Sequence, residues 1–212
     1  MRRELHVRFC EGGGVQFPSA TRLVLGFEQR TEAERFLQAW KDRMRKFGLE
    51  LHPDKTRLIE FGRYAAEHRK RRGEDKPETF NFLGFTHICG KTRKTGRFTV
   101  KRKTIRKRLS TKLKEVREVL RRRWHAPVAD VGKWLRSVVQ GYFNYHAVPG
   151  NVDSLKRFRT QVIWHWYRAL RRRSQKCHMT WKRFGHLVAR WIPSVQILHP
   201  YPNVRFDARY PR

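Results

Sequence analysis

The stretch KRKTIRKRLSTKLKEVREVLRRR, residues 101–123, decides how this chain is organised. It sets 12 basic residues against Glu115 and Glu118. Ile105, Leu109, Leu113, Val116 and Leu120 recur every three or four residues, the period of a helix with one apolar stripe. The spacing predicts a long basic helix over Arg102–Arg123, in which Lys103 faces Lys107 and Arg102 faces Arg106. Like charges four apart destabilise a helix by roughly 0.2–0.5 kcal/mol per pair. An ordinary solvated face mixes signs and avoids that cost. A face that does not is expected to meet phosphates, since counterions released on binding offset the repulsion.

Charge on either side of this stretch is uneven. The 212 residues include 50 Lys and Arg against 18 Asp and Glu, a net charge of +32. Residues 1–100 contribute +9 and residues 101–212 contribute +23, so a boundary is expected near residue 100. Further basic clusters are Arg69-Lys70-Arg71-Arg72 and Arg171-Arg172-Arg173. With 14 Phe, 7 Trp and 6 Tyr the chain has material for a core, which excludes a wholly disordered polycation. No apolar run approaches the roughly 18 residues of a membrane span, and no secretory signal opens the chain. Cys10, Cys89 and Cys177 are far apart and odd in number. That pattern speaks against a disulfide framework or zinc knuckle and fits a reducing, cytoplasmic setting. Nucleic acid is the expected partner, with RNA favoured modestly over DNA.

Upstream of residue 100 the chain reads as alternating strands and helices. Arg22–Phe27 and Arg57–Phe61 are expected strands. Between them Thr31 and Glu34 carry the spacing of a capping box, followed by an apolar stripe through Ala33, Phe36, Leu37, Trp40, Met44 and Phe47 and a stop at Gly48. Residues 63–77 read as a surface loop or short helix. Thr79–Phe85 and Arg97–Val100 read as two strands joined by a Gly- and Lys-rich turn. Downstream everything is helical: Val131–Ala147 after Pro127, a helix capped by Asn151 that ends in Arg171–Arg173, and Thr180–Ile192 before Pro193. The stripes assign Trp134, Trp164, Trp166 and Trp191 to core packing. The fold class is α+β, with a few-stranded antiparallel sheet plus helix over 1–100, an all-α bundle over 101–196 and an irregular tail over 197–212.

Catalytic constellations are thin. Glu11 and Glu28 form no convincing pair for two-metal phosphoryl transfer. His52, His87, His125, His165 and His178 lack metal-ligand spacing, and Gly12-Gly13-Gly14 is not followed by Lys-Ser or Lys-Thr. Ser19 and Cys10 have no recognisable elbow or local partner for nucleophilic attack. Read from its residues alone, this is a binding protein.

Several separated segments nonetheless share an order with a known family. Leu23-Val24-Leu25-Gly26-Phe27 and Phe47-Gly48-Leu49-Glu50-Leu51-His52-Pro53-Asp54-Lys55-Thr56 resemble the palm of bacterial group II intron reverse transcriptases. Phe80-Asn81-Phe82-Leu83-Gly84-Phe85 is similar to the family's primer-grip segment, with Phe82, Leu83, Gly84 and Phe85 at its centre. Gly141-Tyr142-Phe143-Asn144-Tyr145 and Trp166-Tyr167-Arg168-Ala169-Leu170 resemble its thumb, or maturase, region. The resemblance implies a partial palm over 1–100 followed by a helical thumb and maturase domain over 101–196.

It also implies a loss. Val7-Arg8-Phe9-Cys10 resembles the approach to the family's Asp-Asp turn, whose aspartates bind the catalytic magnesium ions, but residues 11–21 hold no aspartate. The other catalytic aspartate and the fingers would precede Met1. The expectation is therefore an RNA-binding protein that binds structured intron RNA and aids splicing without catalytic or metal-binding residues of its own. Lys101, Arg102, Lys103, Arg106, Lys107, Arg171, Arg172 and Arg173 would take the phosphates. No cofactor is expected, with magnesium relevant only if an N-terminal reverse-transcriptase fragment supplied the aspartates. That split RNA-directed DNA polymerase is the alternative of the enzyme class. A generic basic nucleic-acid-binding protein and a decayed gene product are the others.

Overall fold

The computed structural model describes residues 6–10, 23–53, 56–92, 95–173 and 179–201. It is a mixed α+β protein with six helices among the described residues. Two compact units divide the chain, Met1–Phe82 with His87–Val100, and Leu83–Thr86 with Lys101–Arg212.

In the first unit β1 (His6–Cys10) is the middle strand of an antiparallel sheet, between β2 (Leu23–Phe27) and β3 (Arg57–Glu60). Cys10 stands opposite Leu23, and His6 is opposite both Phe27 and Glu60. Helix α1 (Arg30–Lys46) packs on β2 and β1. The expected capping box does not form. The N-cap is Gln29, so Thr31 already lies inside the helix where it cannot cap, and Glu34 instead accepts from Arg30 Nε at 2.7 Å. Phe36 lies 5.2 Å from Phe27 and 5.8 Å from Trp40 along the apolar stripe. Gly48, at φ +67°, ends the helix as its position predicts. Its N–H reaches the Arg45 carbonyl and the Leu49 N–H reaches that of Met44, the paired bonds of a Schellman motif.

Residues 63–77 contain the short helix α2 (Ala65–Arg71), which closes the same way at Gly73. Two of the four cations in its basic cluster are ion-paired inside the unit. Arg72 pairs with Glu60 and Glu74, and Arg69 with Glu74 and Glu78, while Glu78 also holds Arg57 at 2.6 Å. A small core gathers Val24, Phe80 and Cys89 around Ile59 and Phe61.

Strands β4 (Phe80–Phe82), β5 (Phe85–Lys91) and β6 (Phe98–Thr104) follow as adjacent strands of a second sheet. The single strand expected over Thr79–Phe85 is corrected to two strands and a turn. Leu83 and Gly84 both have positive φ, 45° and 80°, which suits a two-residue hairpin turn and breaks the strand.

The second unit also corrects the opening expectation. Residues 101–104 are strand, not helix, and α3 runs over Arg106–Arg122. Burial alternates along Lys101, Arg102, Lys103 and Thr104, the period of a strand, so Lys101 and Lys103 are exposed while Arg102 and Thr104 turn inward. What ends the strand is Asn151. Its Oδ1 accepts from the Thr104 N–H at 3.0 Å, and its Nδ2 donates to Thr104 Oγ1 at 2.8 Å and to the His146 carbonyl at 2.9 Å. Asn151 does sit at the N-cap position of α5 (Val152–Arg171), but its side chain makes no cap bond. A buried amide with four hydrogen-bonding sites is better satisfied by three tertiary partners than by one helix N–H.

Helix α4 (Val128–His146) starts after Pro127, and α6 (Trp181–Trp191) is capped by Thr180 accepting from the Arg183 N–H. The four helices enclose one core, whose largest fully buried side chains are Trp166, Phe143, Phe158 and Phe184. Residues 197–201 are irregular, as expected, and are tied down where the Leu198 and His199 N–H groups both reach the Ala147 carbonyl. Residues 202–212 of the expected tail lie outside the described residues.

Gly132 marks the tightest helix contact. A Cβ there would stand 2.7 Å from Cγ and Cδ1 of Trp191. Alanine gains about 1 kcal/mol of helix propensity over glycine, but forcing a rigid indole aside costs about 1–3 kcal/mol. Gly132→Ala is therefore expected to lower stability by about 1 kcal/mol, and Gly132→Leu by considerably more. Thermal unfolding checks this; a melting temperature unchanged in both variants would mean that α6 does not pack on α4 there.

Candidate nucleic-acid interface

Helices α3 and α5 lie side by side and present their charges to one cleft. On α3, Arg117 and Arg121 recur at helical spacing, with Trp124 just beyond its end; on α5, His165 and Arg168 do the same, with Arg172 as its C-cap. All six line the cleft. Four guanidiniums thus meet as two i,i+4 pairs, Arg117 with Arg121 and Arg168 with Arg172. Among the described residues no carboxylate lines the cleft, and none is ion-paired with any of the four. From Lys101 onward the only described acidic residues are Glu115, Glu118, Asp130 and Asp153. His165 reports the local field. Its pKa is pushed below the ordinary imidazole value by burial first, then by Arg117 and Arg168.

A second groove, of about 770 Å³, runs between α3 and α4. Lys107, Arg108 and Lys112 line one wall together with Glu115, which pairs with Lys112 at 2.9 Å, and Tyr142, Tyr145 and His146 line the other. The first turn of α3 carries Arg106, Lys107 and Arg108 and no acid. Cations at a helix N-terminus oppose the helix dipole, and a bound anion would relieve both charges together.

The structure separates the residues that the sequence grouped. Lys101 and Lys103 are exposed on one face of β6, and Arg106 and Lys107 are exposed at the start of α3. Arg102 lies on the opposite face of the strand, where burial lowers its pKa. The expected stacking of Arg102 on Arg106 and Lys103 on Lys107 is absent, because neither pair shares a helix. Arg171 and Arg172 are exposed, whereas Arg173 is half-buried and donates through Nη2 to the Ala126 carbonyl at 2.7 Å, tying the end of α5 to the loop before α4.

Leu83, Gly84 and Phe85 form a pinned turn in this unit. The Tyr145 hydroxyl donates to the Leu83 carbonyl at 2.7 Å, and the Ile105 N–H reaches the Gly84 carbonyl at 3.1 Å. Phe85 stacks on Tyr145 at 5.8 Å. A Cβ on Gly84 would meet Arg108 Nη1 at 3.2 Å, so the close approach and the positive φ both favour glycine. Phe82 belongs to the first unit and lies 6.3 Å from His87.

Sequence reasoning missed Arg117, Arg121, Arg168 and His165. The signal was present as i,i+4 and i,i+3 spacing of cations on two separate helices, but only packing brings those faces together. Among the described residues no group of three His, Cys, Asp or Glu could hold a metal ion. The place that the resemblance assigns to the metal-binding turn, residues 11–21, lies outside the described residues, and it contains no aspartate to fit magnesium. No described helix is long and apolar enough to cross a membrane. Comparison with models of known protein families finds none that matches, and comparison with curated proteins finds no match either.

Proposed function

We propose that this chain is an RNA-binding protein that grips structured RNA through its helical unit, in the manner of the C-terminal half of a group II intron reverse transcriptase and maturase. On this reading it binds intron RNA to aid splicing and carries out no polymerase chemistry itself. The observation that carries the proposal is the α3–α5 cleft. Four arginines held together without a described carboxylate repel one another in the free protein, and a polyphosphate removes that cost while releasing counterions. The first unit behaves differently, because its own glutamates neutralise Arg57, Arg69 and Arg72. Tyr145 and Gly84 hold the primer-grip-like turn in shape beside α3, which suits a surface that positions RNA.

Filter binding across a salt series tests the reading. The expected result is a steep linear fall of log affinity with log salt and tighter binding to a folded intron RNA than to a random duplex. Equal affinity for both RNAs would reduce the chain to a generic basic protein. Primer extension on an RNA template with magnesium is expected to give no product, and DNA synthesis by the chain alone would overturn the non-catalytic reading.

A further inference from the structure

We propose that the exposed indoles of Trp164 and Trp181 form a stacking platform for unpaired nucleobases, with the phosphates of the same strand entering the neighbouring cleft at Arg168 and Arg172. The inference rests on the RNA-binding reading and specifies which part of an RNA this face takes.

The helical stripe predicts a core position for Trp164, and the structure overturns that. Trp166, two residues on, is fully buried, whereas Trp164 is 42% exposed and Trp181 50% exposed. The two indoles meet edge-on, 5.3 Å apart at 81°. Tyr167, itself buried, stacks on Trp181 at 4.0 Å and 19°. Tyr167 thus backs one face of Trp181, and the perpendicular indoles offer two separate faces, one to each of two bases.

The surroundings select the ligand. Arg168 lies 5.9 Å over the Trp164 ring and Arg171 5.8 Å over that of Tyr167. Gln161, Trp164, His165 and Arg168 line a shallow cleft. His165 and Arg168 are shared with the arginine cleft, so aromatic surface leads into cationic surface with no described carboxylate on either lining. An occupant matched to this face offers flat apolar rings and regularly spaced negative charge. Single-stranded nucleic acid does so, because every base has a π-face and every nucleotide a phosphate. A duplex keeps its base faces stacked inside and offers only the phosphates.

The test compares a short oligouridine with an A-form RNA duplex of equal length, using the full chain and its Trp164→Ala, Trp164→Phe and Trp181→Ala variants. Each alanine variant is expected to weaken oligouridine binding about tenfold and leave duplex binding within about twofold, with Trp164→Phe restoring most of the loss. Alanine variants that bind oligouridine like the wild type, or lose both RNAs equally, overturn the platform while leaving the arginine cleft standing. A wild-type chain that binds neither RNA overturns the RNA-binding reading itself. Should an alanine variant fail to fold, photocrosslinking of 5-iodouridine-substituted RNA to the unaltered chain decides the matter. Adducts at Trp164 or Trp181 are expected, and adducts only at other residues overturn the proposal.

Discussion

Replacing Arg117, Arg121, Arg168 and Arg172 together by glutamine is expected to weaken RNA binding by roughly 100- to 1,000-fold at about 0.15 M salt. The same change should leave the fold about as stable as before. A phosphate contact by a guanidinium contributes on the order of 1 kcal/mol net, and each neutralised phosphate adds about 0.7–0.9 to the slope of log affinity against log salt. Losing four such contacts should flatten the slope by about 3. Stability should change little, because relief of two like-charged i,i+4 pairs is offset by the loss of cations from the C-terminal turns of α3 and α5, and glutamine keeps arginine's helix propensity. A large loss of binding with little change in stability is the mark of a site whose charges are placed for a ligand. The control is Arg35, Lys41, Arg43 and Lys46 to glutamine on α1, which should cost far less affinity. An unchanged salt slope in the cleft variant would remove α3 and α5 from the interface. An imidazole titration adds an independent reading: a phosphate bound beside Arg117 and Arg168 should raise the pKa of His165, which the free cleft depresses.

Stability should fall by about 3 kcal/mol as pH drops from 6.5 to 4, through His146 alone. His146 is 9% exposed, with Nδ1 3.4 Å from Thr104 Oγ1 and its ring 4.3 Å from that of Tyr142. Burial, and then the charge of Arg108, push its pKa down to about 4 from an ordinary 6.5. The unfolded chain takes up a proton near pH 6.5 while the folded one does not, so acid favours unfolding. The stabilisation is complete above pH 6.5 and is lost progressively towards pH 4, at about 1.4 kcal/mol per pH unit. Denaturant unfolding at pH 7 and pH 4.5 checks this against His146→Phe, which removes the titration. Wild type should lose about 2.5 kcal/mol more than the variant over that interval; equal losses would mean that His146 is protonated in the folded state.

Local signals in the chain proved most legible where one residue's chemistry suffices. Gly48 ends α1, Pro127 precedes α4 and Thr180 caps α6, each because its backbone preference or side-chain oxygen acts within a few residues. Thr31 and Asn151 show the limit of that reading. Both have the right residue type for a cap, but Glu34 found Arg30 and Asn151 found Thr104, 47 residues away. The basic stretch 101–123 failed in the same way. Its apolar period begins only at Ile105, and residues 101–104 are strand, because strand alternation and the Asn151 bonds govern there. Trp164 and Trp166 lie on the same helix, and the apolar stripe predicts a core position for both. Only the bundle's geometry leaves one half in solvent and seals the other.

The sequence by itself determined the α+β class, the predominance of helix after residue 100, and an excess of +23 on that half that calls for an anionic partner. Those follow from periodicity and composition, which act locally or by simple summation. Tertiary structure alone decided where the charge converges. Arg117 and Arg121 are far from Arg168 and Arg172 along the chain, and a Coulomb field depends on distance in space. Packing α3 against α5 around Val116, Leu120, Val162 and Trp166 sets those distances, and turns four dispersed cations into one cleft.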